Sequence, residues 1–183
     1  MKPANVLVLP GWQNSGPGHW QSLWEVAHGY QRVEQHDWMQ PLRGDWIARL
    51  EDVILGSDEP VVLVAHSLGC MLTAAWAAHS RNTHRVKGAL LVAPPDVDRE
   101  EVRQMLTSWA PVPMNKLPFT SVVLASSRDP YCRLERAREF AAGWGAEFVD
   151  VGPLGHLNAD SGLGDWPEAH QKLQALMNRT APA

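Results

Sequence analysis

Short apolar runs rich in β-branched residues recur along the chain, and each is followed by a longer amphipathic stretch. Three of the runs, VLVL at Val6–Leu9, VVLVA at Val61–Ala65 and SVVLA at Ser121–Ala125, are apolar on nearly every residue, as in strands covered on both faces. The pattern predicts strands at Asn5–Leu9, Arg32–His36, Val61–Ala65, Val86–Val92, Ser121–Ala125 and Glu147–Asp150. Between them it predicts helices at His19–Ala27, Asp45–Leu55, Leu68–Ser80, Asp98–Ser108 and Leu134–Ala142, with a last helix at Pro167–Met177. Strands alternating with helices argue an α/β three-layer sandwich built on a parallel sheet. No composition shift, repeat or low-complexity tract divides the 183 residues, so one domain over 1–183 is expected. Ala110–Pro118 (APVPMNKLP) carries three prolines and is expected to be a loop over the carboxyl edge of the sheet, where open α/β sheets bind ligands.

Charge narrows the function classes. Sixteen Lys and Arg against twenty Asp and Glu leave a formal charge of −4, with the cations scattered, so no field exists to collect a nucleic acid or dock on anionic lipid. Neither nucleic acid nor membrane is an expected partner. The first apolar run, Val6–Leu9, is shorter than the roughly 7–15 residues of a signal peptide core, and no run approaches the ~20 residues of a membrane span. A cytoplasmic address is the default expectation. The two cysteines, Cys70 and Cys132, are not paired in a CxxC spacing, so neither a disulfide framework nor a zinc site is suggested.

Ala65-His66-Ser67-Leu68-Gly69 leaves a predicted strand and enters a predicted helix. That context makes a nucleophile elbow, in which a sharp turn holds a serine in a strained conformation and tolerates little bulk two residues to either side. Ala65 stands where glycine is usual, and its methyl is the mildest departure; the competing reading is a small-residue junction that merely packs tightly. A serine hydroxyl needs a base, and the base needs an orienting acid, so the partners belong on loops after later strands. In the order nucleophile, acid, base, Asp129 follows the fifth strand and His156 the sixth. Asp96 also follows a strand but one too early for the usual acid, and Asp98 looks like a helix N-cap. His66 adjoins Ser67 and is expected to point away from it, as an outer-layer or solvent-facing group; His79, His84 and His170 read as surface residues. None of the eight histidines forms HExxH or another metal-ligand spacing, so no metal and no cofactor is expected.

Acyl transfer also needs two backbone donors for the oxyanion. The amide of Leu68, next after the serine, is one candidate; the other is the amide of Trp12, after the turn at Pro10-Gly11. Gly11–Gly16 also has the G-x-x-x-x-G spacing of a phosphate loop, but it continues Pro17-Gly18 instead of Lys-Ser/Thr, which argues against a nucleotide. Five of the nine tryptophans (Trp12, Trp20, Trp24, Trp38, Trp46) fall in the first quarter or so of the chain. Trp24 and Trp46 read as core. Trp12, Gln13, Trp20 and Trp166 are candidates for the substrate wall.

Four blocks in order, VLVLPGWQNSGPGHW, AHSLG, ASSRDPYC and GPLGHLNADSGLGDWPE, together resemble the small serine-hydrolase family typified by retinoblastoma-binding protein nine and its bacterial relatives. The resemblance spans nearly the whole chain. It implies a capless α/β-hydrolase with a six-stranded, mainly parallel sheet in the order 2-1-3-4-5-6, and it matches Ser67 to the nucleophile, Asp129 to the acid and His156 to the base. The family's name invites partner binding through an LxCxE segment; Leu68–Leu72 begins that way but ends in Leu and lies inside a predicted helix. The expectation is a cofactor-free serine hydrolase acting on a small-molecule carboxylic ester, thioester or activated amide. The competing expectation is a binding protein that keeps the scaffold with weak catalysis.

Overall fold

All six strands run parallel, in the order β2-β1-β3-β4-β5-β6, as the resemblance implied. The computed structural model describes residues 5–179; the ends of the expected 1–183 domain lie outside them. The strands are β1 (Asn5–Leu9), β2 (Gln31–Arg32), β3 (Val61–His66), β4 (Val86–Val92), β5 (Thr120–Ala125) and β6 (Glu147–Asp150). The helices are α1 (Trp20–His28), α2 (Arg43–Leu55), α3 (Leu68–His79), α4 (Glu100–Met105), α5 (Leu134–Trp144) and α6 (Pro167–Arg179).

Successive strand residues face opposite ways, and the two faces build two cores. Leu7, Leu63, Leu91 and Val123 point into the larger one, closed by α2 to α5. Val62, Val64, Leu90 and Leu124 point into the smaller one, closed by α1 and α6. The tryptophans divide between them: Trp46, Trp76, Trp109 and Trp144 in the first, Trp20, Trp24 and Trp166 in the second. No helix among the described residues is long and apolar enough to cross a membrane.

Three expectations need correction. β2 is two residues rather than Arg32–His36, because this edge strand pairs only with Leu7 and Val8 before the chain turns toward Asp37, whose carboxylate accepts from the Met39 and Gln40 amides. α4 is Glu100–Met105 rather than Asp98–Ser108, with Arg99 at its N-cap. Asp98 does not cap it: its carboxylate accepts from the Val112 amide and pairs with Arg136. The segment Ala110–Pro118 does not cover the carboxyl edge. It carries the chain back to the start of β5, with Met114 and Lys116 packed against Gly143 and Gly145 at the end of α5.

The tightest junction in the sheet is that between β1 and α3. A Cβ on Gly69 would lie 2.3 Å from the Leu9 carbonyl oxygen, so α3 can start directly against β1 only because that position is glycine. In a solvent-exposed helix Gly→Ala stabilises by about 1 kcal/mol, but here overpacking against a backbone atom costs about 1–3 kcal/mol or more. Gly69→Ala is therefore expected to lower the urea midpoint of unfolding; an unchanged or raised midpoint would contradict this packing.

Candidate active site

Ser67 has φ +54° and ψ −120°, a left-handed backbone that serine rarely adopts. The turn is held by its own amide, which donates to the Val92 carbonyl of β4, and by its carbonyl, which accepts from Cys70 in the first turn of α3. β3 thus drives the chain to the carboxyl edge and α3 takes it away at once, leaving Oγ at the apex of the turn.

Two later loops meet that hydroxyl. His156 Nε2 lies 2.8 Å from Ser67 Oγ, and His156 Nδ1 lies 2.9 Å from both carboxylate oxygens of Asp129. The carboxylate fixes the tautomer: Nδ1 donates to Asp129 and Nε2 is left to accept from the serine. Asp129 is almost sealed from solvent, with 3% of its side chain exposed, and its Oδ1 also accepts from the Tyr131 amide. Ser126 Oγ accepts from the amides of Arg128 and Leu154, stitching the Asp129 loop to the His156 loop. Asp96 is not brought to His156; it lies 3.6 Å from Arg136.

The base's loop is bent through Gly155 and Leu157, both at positive φ, and for Leu157 (φ +54°) that conformation is strained. Two side-chain donors hold it. His66 Nε2 donates to the carbonyl of His156 (2.9 Å), and Trp20 Nε1 donates to the carbonyl of Leu157 (2.8 Å). His66 is therefore buried against His156 at the cleft, the outer-layer placement of the two expected rather than the solvent-facing one. Its ring stands between those of His19 and His156, with centroids 4.6 and 4.9 Å away. Burial, then the neighbouring His156 and His19, hold its pKa well below the usual imidazole range.

The loop after β1 lies against the other side of the elbow. A Cβ on Gly11 would meet Ser67 Cβ at 3.0 Å and the Leu68 nitrogen at 3.1 Å, so glycine is what lets this loop touch the nucleophile. The Gln13 amide donates to Trp38 and the Asn14 amide to Gly11. Among the described residues, the amides of Trp12 and Leu68 have no such partner. The loop is anchored from beneath by Gln21, fully buried, which donates to the carbonyls of Leu9 and Val64 and accepts from Ser15 Oγ. Arg32 holds it from the side through Asn14 Oδ1 and the Ser15 carbonyl.

These loops enclose a cleft of about 370 Å³ in which Ser67, His156, Trp12 and Gln13 all take part. Trp20 and Trp166 do not line it. Both sit in the smaller core, where Trp20 packs on Trp24 and Trp166. Instead the cleft is walled by Val102, Met105 and Leu106 of the α4 region, by Tyr131 and by Asn158, none of which sequence reasoning proposed. A larger, shallower depression of about 950 Å³ lies at the opposite edge of the sheet, beside Lys87, Lys116 and Arg179; its Ser121 hydroxyl donates to the Phe119 carbonyl rather than to the His84 ring. The described residues contain no group of three or more His, Cys, Asp or Glu that could hold a metal. Neither cysteine competes as nucleophile: burial raises Cys70 well above the ordinary thiol range and pushes Cys132 up to about 12.

His19 caps α1, its Nδ1 accepting from the Gln21 amide, and it lines the same cleft. Burial first, then the charges of Arg32 and His156, lower its pKa from 6.5 to about 4. The unfolded chain binds a proton on this ring below about 6.5 and the folded chain only below about 4, so stability falls as pH drops through that window, by on the order of 3 kcal/mol. His19→Asn keeps a capping acceptor and removes the titration. Denaturant unfolding at pH 7.5 and pH 4.5 is expected to show a smaller loss of stability in this variant than in the parent; equal losses would contradict a buried neutral His19.

Comparison with known proteins places these features in a family. Among curated proteins none matches this chain. Of the solved structures, a YdeN-like hydrolase from Pectobacterium atrosepticum is 28% identical, with a TM-score of 0.88 over 99% of this chain and 94% of that one. The ydeN gene product of B. subtilis is 22% identical, with a TM-score of 0.76 over 96% and 99%. The esterase RhEst1 from Rhodococcus sp., 14% identical with a TM-score of 0.69 over 97% and 91%, shares the fold. The family model described as serine hydrolase matches residues 6–175, nearly the whole of the sheet and its helices, and the chain belongs to that serine-hydrolase family of the α/β-hydrolase fold.

Proposed function

We propose that the protein hydrolyses small carboxylic esters, thioesters or activated amides through an acyl-enzyme on Ser67. One observation carries this reading: the unbroken line from Ser67 Oγ to His156 to Asp129, at 2.8 and 2.9 Å, beside two amides with no other partner.

The steps follow from that line. His156 Nε2 takes the hydroxyl proton as Oγ attacks the substrate carbonyl carbon, and Asp129 stabilises the imidazolium that forms. The negative charge that develops on the carbonyl oxygen is met by the Leu68 and Trp12 amides, fixed in place before substrate arrives. The tetrahedral intermediate collapses, the leaving group departs with the proton from Nε2, and the acyl group stays on Oγ. Water then enters and attacks the acyl carbon as His156 Nε2 takes one of its protons; the second tetrahedral intermediate breaks its bond to Oγ, which receives that proton back from His156, so the carboxylic acid leaves and serine and neutral histidine are restored.

Ser67→Ala and His156→Ala are each expected to lower kcat on p-nitrophenyl acetate by about 10⁴-fold or more and to a similar degree, because the three residues act as a unit. Asp129→Asn is expected to cost up to about 10⁴-fold, since an amide holds the imidazole in the wrong tautomer. Asp96→Asn is expected to stay near the parent rate. Parental turnover in folded Ser67→Ala would leave a binding protein on a hydrolase scaffold, and a loss in Asp96→Asn with none in Asp129→Asn would move the acid to the loop after β4.

A further inference from the structure

The cleft around Ser67 is unlike the rest of the surface in one respect: apart from its histidines, its lining contains no ionisable acid or base of the Asp, Glu, Lys or Arg kind. Twenty acidic and sixteen basic residues are available to this chain, and none reaches the lining. A charged substrate group buried there would lose its hydration without gaining a partner, which costs several kcal/mol.

The lining falls into an apolar and a polar group. To the first, α4 contributes Val102 and Met105, with Leu106 following the helix. The α4 region is tied to the loop after β1 through the β2–α2 connection: Trp109 Nε1 donates to the Pro41 carbonyl and Ser108 Oγ accepts from the Arg43 amide. The same connection receives the Trp12 indole N–H at Met39 and the Gln13 amide at Trp38. Trp12 packs against the same core cluster that holds Val102 and Leu106, so this part of the lining is apolar. The polar part is His156, with the Tyr131 ring 4.7 Å from its own, and Asn158 two positions further on.

Chemistry orients a substrate between these two groups of residues. His156 must reach the leaving group to protonate it, and the acyl carbonyl must meet Trp12 and Leu68, so the acyl chain runs away from His156 and along α4. Met105 stands at the mouth of this path with 47% of its surface exposed, one of the few large apolar side chains left to solvent. An unbranched thioether can bend to fit chains of different length. We infer that the preferred substrates are uncharged esters with an apolar, medium-length acyl chain that lies on Val102, Met105, Leu106 and Trp12, while the polar leaving group faces Asn158. This inference rests on Ser67 being the acylated residue.

A series of p-nitrophenyl esters with one leaving group tests it. From acetate to hexanoate kcat/KM is expected to rise by about tenfold or more, and the half-ester of adipate, with the same number of chain carbons as hexanoate but a terminal carboxylate, to fall about tenfold or more below hexanoate. Met105→Lys is expected to lower the hexanoate-to-acetate preference about tenfold and to raise the relative rate on the adipate half-ester; Met105→Gln, uncharged, should lower the preference without that gain. Acetate hydrolysis in the same preparations reports the machinery separately. If acetate is hydrolysed but the profile from acetate to hexanoate is flat, or the adipate half-ester matches hexanoate, or Met105→Lys leaves the preference unmoved, the acyl wall is overturned and the nucleophile stands. If folded protein hydrolyses no ester of the series, both fall together.

Discussion

Ser67 can hold a left-handed backbone because the chain around it gives up side chains where they would collide. Gly69 carries no Cβ, so α3 begins against the Leu9 carbonyl, and Gly11 carries none, so the β1 loop rests on the serine itself. A residue at φ +54° is unfavourable by about 1–3 kcal/mol and persists only where its surroundings over-determine it. Here the surroundings are two parallel neighbours of β3: β4 receives the Ser67 amide at Val92, and β1 supplies the loop with the free Trp12 amide. The close approach at the strained serine also brings the β1 loop against its Cβ and the Leu68 nitrogen.

The rest of the site extends this constraint outward. The base is carried on a loop that is itself strained at Leu157, and it is held by a donor from β3 (His66) and one from α1 (Trp20) on consecutive carbonyls. Gln21 ties α1 to β1 and β3 and supports the loop above them. The burial of His66 and His19 keeps both rings neutral, so neither places a second positive charge beside the imidazolium that His156 must become. The uncharged lining of the cleft is the feature on which the proposed preference for an apolar acyl group rests.

Much of this was readable from residue order. Consecutive apolar runs identified three of the four central strands, β1, β3 and β5, and a small-residue junction between a buried strand and a helix identified the turn at Ser67. Asp129 and His156 stood out because each follows a strand and parallel strands deliver their carboxyl ends to one edge. The misses have physical causes. Apolar character says that Trp20 and Trp166 are covered, but not by which layer; both enter the smaller core, and Trp20 acts on the site only through its indole N–H. The strand end that His66 occupies is roofed by the loop of His156, whose carbonyl takes its Nε2–H, and this no local pattern reveals. The strain at Leu157 has no signal because leucine is not a turn residue. The apolar wall on α4 was hidden inside a helix drawn too long; with α4 ending at Met105, that side chain lies at the cleft instead of on a buried helical stripe.

The central claim is that Ser67 alone, among the nucleophilic side chains, is activated by the groups packed around it. Reaction of the folded protein with a fluorophosphonate, followed by intact-mass and peptide mass spectrometry, reads this directly, because the reagent is attacked by an activated serine and not by an ordinary hydroxyl. The account predicts one adduct per chain, on the peptide containing Ser67, formed far more slowly when His156 is replaced by alanine. Folded protein that takes up no adduct, or takes it up at another residue, would contradict it.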